Sequence, residues 1–100
     1  MLFSSRFVIA HDHPSGPGHF PGRPIVPGVV LLDCTMAALL RDHPSTRLVG
    51  FDEVKFVFPV LPGAQVSVIG DDSTRDRLTF ACAVDGRTVL RGRARLGRAG

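Results

Sequence analysis

Residues 19–42 read HFPGRPIVPGVVLLDCTMAALLRD, and this stretch decides the fold. Its second part, Gly28–Asp42, predicts a helix, because Pro27 suits the first turn of a helix and Pro44 stops it soon after Asp42. The segment is apolar around its whole circumference, so we expect a helix that is buried on all sides.

The rest of the chain predicts β-strands. Apolar patterning predicts them over Leu2–Ala10, Gly50–Phe58, Gln65–Ile69, Leu78–Val84 and Thr88–Leu96. Asp85-Gly86 is a hairpin turn between the last two strands. One buried helix followed by an antiparallel meander predicts an α+β domain over residues 1–100, with about five strands wrapped around the helix.

Composition excludes several classes of function. The 12 basic and 9 acidic residues give a net charge of +3, which is too small to predict nucleic-acid binding but suits an acidic carrier protein. There is no long apolar run and no signal peptide at the start, so we expect a cytoplasmic protein without a membrane partner. Cys34 and Cys82 are too few for a disulfide framework and are expected to be reduced thiols.

Three residues of the opening stretch carry candidate chemistry. Asp33 is the one charged side chain between Val29 and Leu40; it either reaches solvent at the helix edge or acts as an acid whose pKa apolar surroundings raise. His19 is either a structural hydrogen-bonding residue of the Pro/Gly-rich loop or a general base. Gly28 opens the helix, so its free N–H can hold a thioester carbonyl. Together the three residues supply what β-elimination of water requires.

Two other polar groups have simpler interpretations. The HDH cluster at residues 11–13 fits no closed zinc pattern, so we expect a polar loop rather than a metal site. Arg91, Arg93 and Arg95 share one face of the last strand. We expect that face to be solvated, with docking of an acidic carrier protein as the alternative.

The segment HFPGRPIVPG, residues 19–28, resembles the active-site motif of the β-hydroxyacyl-ACP dehydratases of fatty acid synthesis. In that family HFPG-x-P-x-x-PG leads into the central helix of a hot-dog fold. GFDEVKFVFPVLPGAQV (residues 50–66) resembles the family's (K/R)F-x-x-PV-x-PG segment, and VDGRTVLRGRARL (residues 84–96) resembles its last hairpin. The resemblance covers the chain from about His19 to Leu96 and implies the hot-dog fold.

The resemblance also implies roles for individual residues. His19 matches the family's catalytic histidine, Asp33 its catalytic acid, and Gly28 the glycine whose N–H binds the thioester carbonyl. An acyl-chain tunnel is implied along the helix, lined by Phe20, Val29 and Leu32. A homodimer or higher oligomer is implied as well, because in the family the histidine and the acid of one site come from different subunits.

The expected reaction is dehydration of (3R)-3-hydroxyacyl groups, on acyl carrier protein or coenzyme A, to trans-2-enoyl thioesters. The pathway would be fatty acid, aryl-polyene or polyketide-like lipid synthesis. No metal or redox cofactor is expected, because the phosphopantetheine arm arrives with the substrate. Two alternatives stay open: a hot-dog acyl thioesterase, which the HFPG loop disfavours, and a non-catalytic acyl-binding or heterodimer partner subunit. Asp33 resembles the branch that also isomerises the double bond, whereas HFPG and the short chain resemble the other branch.

Overall fold

A computed structural model describes residues 2–9 and 25–98 of the chain. Within these residues it contains one helix and five strands, as the sequence predicts. In chain order these are β1 (Leu2–Val8), α1 (Gly28–Leu40), β2 (Thr46–Phe56), β3 (Gln65–Asp71), β4 (Arg77–Val84) and β5 (Arg87–Arg98). No helix among the described residues is long and apolar enough to cross a membrane.

The strands form one antiparallel sheet in the order β1-β3-β4-β5-β2. Strands β3, β4 and β5 make the expected meander, but β2 lies beside β5 and β1 lies beside β3. After β2, which is one edge of the sheet, the chain therefore crosses to β3, which lies next to the opposite edge strand. The sheet wraps around α1, which is the expected hot-dog arrangement, and β1 and β2 are its two edges.

The helix begins at the predicted residue and ends two residues early. Pro27, with φ −58° and ψ 142°, lies just before the first helical residue, Gly28. Pro44 disfavours the helical conformation at the preceding residue, His43. The N–H of His43 donates to the carbonyl of Leu40 at 3.0 Å, which closes the last turn.

Strand β2 differs most from its prediction. It begins four residues before the predicted start, because Thr46 already pairs with Arg98 of β5. It ends at Phe56, two residues early, because the next two N–H groups both donate to the carbonyl of Val89. Two register shifts along the pairing with β5 mark β-bulges, which bend and twist an edge strand.

The predicted hairpin turn between β4 and β5 is confirmed. Asp85 has φ 51° and Gly86 has φ 78°, so both residues adopt the left-handed conformation of a two-residue type I′ turn. A glycine meets this requirement without the steric strain that a Cβ atom would cause. The turn fixes the register of the two strands and places Arg87 at the start of β5.

The core lies between the inner face of the sheet and one side of α1. Leu31, Met36 and Leu39 of the helix are at most 6% exposed. They belong to one cluster with sheet residues Val66, Val68, Leu78, Phe80, Cys82, Val89, Leu90 and Ala94. Burying this apolar surface is the main stabilising contribution to the fold.

Thr35 is the one polar residue among the described residues that is buried in this core. Its hydroxyl donates to the carbonyl of Leu31 at 2.7 Å and lies 3.0 Å from the Sγ of Cys82. Since the hydroxyl proton is already used, the Cys82 thiol is the donor in the second contact. Burial raises the pKa of Cys82 to about 11. Both cysteines are free thiols.

The other side of α1 is exposed in the single chain. Val29 is 73% exposed, and Asp33 and Ala37, each one turn further along, are exposed as well. We call Val29, Asp33 and Ala37 the exposed stripe. The expectation of a helix buried on all sides is therefore wrong for the single chain, because the sheet covers one side of the helix and leaves this stripe uncovered.

Candidate active site

Backbone hydrogen bonds tie Ile9 and Val26, which lie on either side of residues 10–24 in the chain, to one part of the fold. The N–H of Val26 donates to the carbonyl of Val60 at 2.7 Å, and the N–H of Gly63 donates to the carbonyl of Ile9 at 2.7 Å. The described residues on either side of this segment therefore both contact the link between β2 and β3. This link also lies beside the start of α1.

The start of α1 has hydrogen-bond donors without an acceptor among the described residues. The N–H groups of Val30 and Leu31 both donate to the carbonyl of Pro27, at 3.0 and 3.2 Å. The N–H groups of Gly28 and Val29 have no acceptor among the described residues. They lie at the positive end of the helix dipole, and the first turn contains no acidic residue. The helix start is therefore able to bind an oxygen that carries or gains negative charge.

The ring of Phe56 packs against Gly28. A Cβ atom on residue 28 would lie 2.8 Å from Cε1 of this ring, which is closer than real Cβ contacts. Only glycine therefore allows the ring of Phe56 to cover the first helical residue. Sequence reasoning selected Gly28 for its backbone alone and missed Phe56, although Phe56 belongs to the (K/R)F-x-x-PV segment that carries the family resemblance.

An apolar groove of about 450 Å³ opens beside this contact, and we call it the helix-start groove. It is lined by Val26, Gly28, Val29 and Leu31 and by residues 56–60. Its volume is in the range of small-molecule binding sites. A carbonyl group held by the N–H of Gly28 would have apolar surface on both sides.

Asp33 lies outside the lining of this groove. It follows Gly28 by five residues, which is about 7.5 Å along the helix axis. It is exposed in the single chain, so the apolar surroundings expected from the sequence are not provided by this chain alone. Burial raises the pKa of the neighbouring half-buried Cys34, and the charge of Asp33 raises it further. Leu32 is half-buried and packs against the core cluster instead of lining the groove.

The structure thus brings Gly28 and Val29 together in one groove and leaves Asp33 one turn beyond it. His19, Phe20 and the cluster at residues 11–13 lie outside the described residues. Within residues 2–9 and 25–98, no group of three or more His, Cys, Asp or Glu side chains is arranged to hold a metal ion.

The three arginines predicted on one face of the last strand are all exposed, as expected. Arg95 pairs with Asp52, whose Oδ1 lies 3.3 Å from the arginine Nε. Arg91 and Arg93 form no ion pair with any residue that the structure describes. This outer face of the sheet lies opposite the side that packs on α1.

Comparisons with known proteins agree with the fold. The sequence profile of the ApeI-like family, described as ApeI dehydratase, matches residues 3–93. Among solved structures, the dehydratase heterocomplex ApeI:P from Xenorhabdus doucetiae is similar, with a TM-score of 0.79 and 29% sequence identity. That match covers 97% of this chain and 88% of the other.

Curated relatives include 3-hydroxyacyl-[acyl-carrier-protein] dehydratases named FabZ. The protein from Haemophilus influenzae (strain PittEE) is 36% identical over 69 residues, which cover 60% of this chain and 47% of the relative. The protein from Yersinia enterocolitica is 32% identical over 95 residues, which cover 81% of this chain and 56% of the relative. The chain spans about half the length of these relatives. The match of the family profile to most of its residues shows that this chain belongs to the ApeI-like dehydratase family of hot-dog proteins.

Proposed function

We propose that this protein removes water from (3R)-3-hydroxyacyl thioesters to give trans-2-enoyl thioesters. The observation that carries the proposal is the arrangement at the start of α1. Gly28, whose N–H has no acceptor among the described residues, lines an apolar groove, and Asp33 follows about 7.5 Å further along the axis of the same helix. Membership in the ApeI-like dehydratase family supports the same reaction.

The elimination uses three groups. The N–H of Gly28 donates to the thioester carbonyl and stabilises the enolate oxygen that forms as the C2 proton leaves. His19 takes that proton as general base. Asp33, in its carboxylic acid form, donates a proton to the C3 hydroxyl, which leaves as water. The electron pair of the C2–H bond becomes the second bond between C2 and C3, so the reaction needs no metal or redox cofactor.

The proposed working unit is a homodimer in which Asp33 of one copy meets His19 of the other. Three exposed features support a second copy. The exposed stripe leaves Val29 73% accessible, the bulged edge strand β2 leaves Val49 55% accessible, and the free edge of β2 can pair with another strand. In such a dimer Asp33 would gain the apolar surroundings that the single chain lacks. Phe20, Val29 and Leu32 are the proposed contacts of the acyl chain.

The proposed substrate is a thioester of an acyl carrier protein, with coenzyme A as the other source of the same phosphopantetheine arm. The names of the FabZ relatives, at 32–36% identity, support the carrier protein. A net charge of +3 suits association with an acidic carrier.

The test is the reverse reaction on a small thioester. Purified protein should hydrate crotonyl-N-acetylcysteamine, followed by the loss of enoyl thioester absorbance, and His19→Ala should lower the rate at least about 100-fold. The matched control is His43→Ala, since His43 stacks on Phe3 beyond the far end of α1, about 18 Å from Gly28 along the axis. Its rate should stay within about twofold of the wild type. Absence of hydration by the wild type, or release of free thiol in its place, would contradict the proposal; thiol release would indicate a thioesterase.

A second candidate role is that of a partner subunit in a heterodimer. The ApeI:P neighbour, which is a dehydratase heterocomplex, favours this alternative. Binding of butyryl-N-acetylcysteamine by the isolated chain without turnover of the crotonyl thioester would support it. Turnover by the isolated chain would exclude it as the sole role.

A further inference from the structure

A second apolar groove, of about 550 Å³, shares residues 58–60 of its lining with the helix-start groove. We call it the hairpin groove, because the β4–β5 hairpin forms one side of it. Its apolar lining includes Leu61, Val84 and Val89, and two charged residues of the hairpin, Asp85 and Arg87, complete it. The two grooves share residues 58–60, so an extended ligand is able to lie across both.

Arg87 is placed to bind an anion. Its guanidinium lies over the ring of Phe58, with its central carbon 4.4 Å from the ring centroid. Arg87 is exposed and forms no ion pair with any described residue, including Asp85 in the same groove. A guanidinium that stacks on an aromatic face keeps its N–H groups free at the edge, where they match the oxygens of a phosphate.

The aromatic rings in contact with Gly28 and with Arg87 are close together in the chain. Gly28 contacts the ring of Phe56 and Arg87 contacts the ring of Phe58, which follows two residues later. Residues two apart in the chain have Cα atoms at most about 7 Å apart, so one extended ligand is able to reach both contacts. A phosphopantetheine arm has about thirteen bonds between its sulfur and its phosphorus, which is roughly 16 Å when extended.

We infer that the hairpin groove holds the pantetheine arm of the substrate, and that Arg87, positioned by Phe58, binds its phosphate. The inference rests on the proposed function, because it assumes that the thioester carbonyl lies at Gly28. The phosphate lies on the side of the guanidinium away from Asp85, whose carboxylate would repel it. The same phosphate is present whether the arm is attached to a carrier protein or to coenzyme A.

The test compares two unreactive ligands that differ only in the phosphate, butyryl-phosphopantetheine and butyryl-pantetheine, in calorimetric titrations. Arg87→Ala should weaken binding of the phosphorylated ligand about tenfold and leave the unphosphorylated one unchanged, since one charged hydrogen-bonding contact is lost. Arg87→Lys should retain part of the preference, because it keeps the charge but not the planar donors. Arg93→Ala, on the outer face of the sheet, is the matched control for the change in net charge.

Each outcome decides the inference. If Arg87→Ala weakens binding of both ligands equally, Arg87 has only a structural role. If Arg93→Ala weakens binding of the phosphorylated ligand as much as Arg87→Ala does, the cause is general electrostatic attraction. Either result overturns the inference, and so does wild-type protein that binds the two ligands with equal affinity. A phosphate preference that depends on Arg87, without hydration of crotonyl thioesters, would uphold the phosphate site and reject the dehydratase. Repeating the titration with butyryl-coenzyme A and a butyryl carrier protein identifies the source of the arm, which is the ligand that the wild-type protein binds more tightly. Arg87→Ala should weaken binding of both, since both carry the phosphate.

Discussion

The two sides of helix α1 have opposite surroundings, although both are apolar in sequence. One side, with Leu31, Met36 and Leu39, is at most 6% exposed and packs on the sheet. The other side is the exposed stripe, where Val29 is 73% exposed and Asp33 is the one charged residue. A single chain has reason to be apolar only on its buried side. The apolar composition of the exposed side therefore indicates a surface for a partner or a substrate. The carboxylate on this side belongs to Asp33, the proposed acid of the dehydration.

The largest effect should come from the exposed stripe and should leave the fold intact. Asp33→Asn removes the proposed acid and is expected to lower kcat at least about 100-fold, because general acid catalysis typically contributes that much. Because the side chain is exposed in the single chain, the melting temperature of the monomer, measured at high dilution, should change little. Asp42→Asn, an equally exposed carboxyl group just past the end of the helix, is the control. A rate close to wild type for Asp33→Asn would remove Asp33 from the mechanism.

The buried side should respond in the opposite way. Leu39→Ala leaves a cavity beside the sheet, so we expect a loss of about 2–5 kcal/mol in the free energy of unfolding, measured with urea. The protein that remains folded should keep its kcat. In the monomeric chain, Val29→Ala, on the exposed stripe, should cost less than about 0.5 kcal/mol. Similar losses for the two variants would mean that the stripe is buried in the isolated chain.

Gly28→Ala tests the start of α1, where the buried side and the exposed side of the helix meet. The added Cβ would lie 2.8 Å from Cε1 of Phe56, so the ring must shift and disturb the helix-start groove. We expect a loss of about 1–2 kcal/mol in the free energy of unfolding, as for other strained small-to-large changes, and a lower kcat/KM. The double variant Gly28→Ala with Phe56→Leu should recover part of the stability. No recovery would show that the ring contact is not the cause.

The effect that is smallest at neutral pH concerns Cys82, whose thiol faces Thr35 on the buried side. Burial raises its pKa to about 11 from an ordinary 9.0, so the folded state holds the thiol proton more tightly than the unfolded state. This contribution is complete below pH 9 and is lost as the pH rises towards 11. The free energy of unfolding should therefore fall over that range, and Cys82→Ala should flatten the decline. An unchanged slope in the variant would assign the decline to other groups.

Local signals predicted the parts of this fold that depend on local rules. Pro27 marked the helix start to the residue, and Asp85-Gly86 marked the type I′ turn, because both positions impose backbone angles. The place of β2 beside β5 was not predictable in this way. Strand order depends on long-range pairing, which the alternation of apolar residues within one strand does not encode.

The candidate site was also predicted only in part. Gly28 follows from the rule that a helix start has free N–H groups, and the motif around it carries the family resemblance. The contact between Gly28 and Phe56 joins residues far apart in the chain, and no periodicity indicates it. The exposed stripe was not predicted either. Apolar residues all around a helix do not indicate whether the same chain or a second chain covers each side.

The central claim, that one working site takes His19 and Asp33 from two different chains, has a direct test. The variants His19→Ala and Asp33→Asn, each inactive alone, are unfolded together, refolded as a mixture, and assayed for hydration of crotonyl-N-acetylcysteamine. Random pairing makes about half of the dimers mixed, and each mixed dimer has one site with both residues intact, so about a quarter of the wild-type activity should return. If mixed dimers form and no activity returns, the two residues do not act across an interface, and the account of the shared site is wrong.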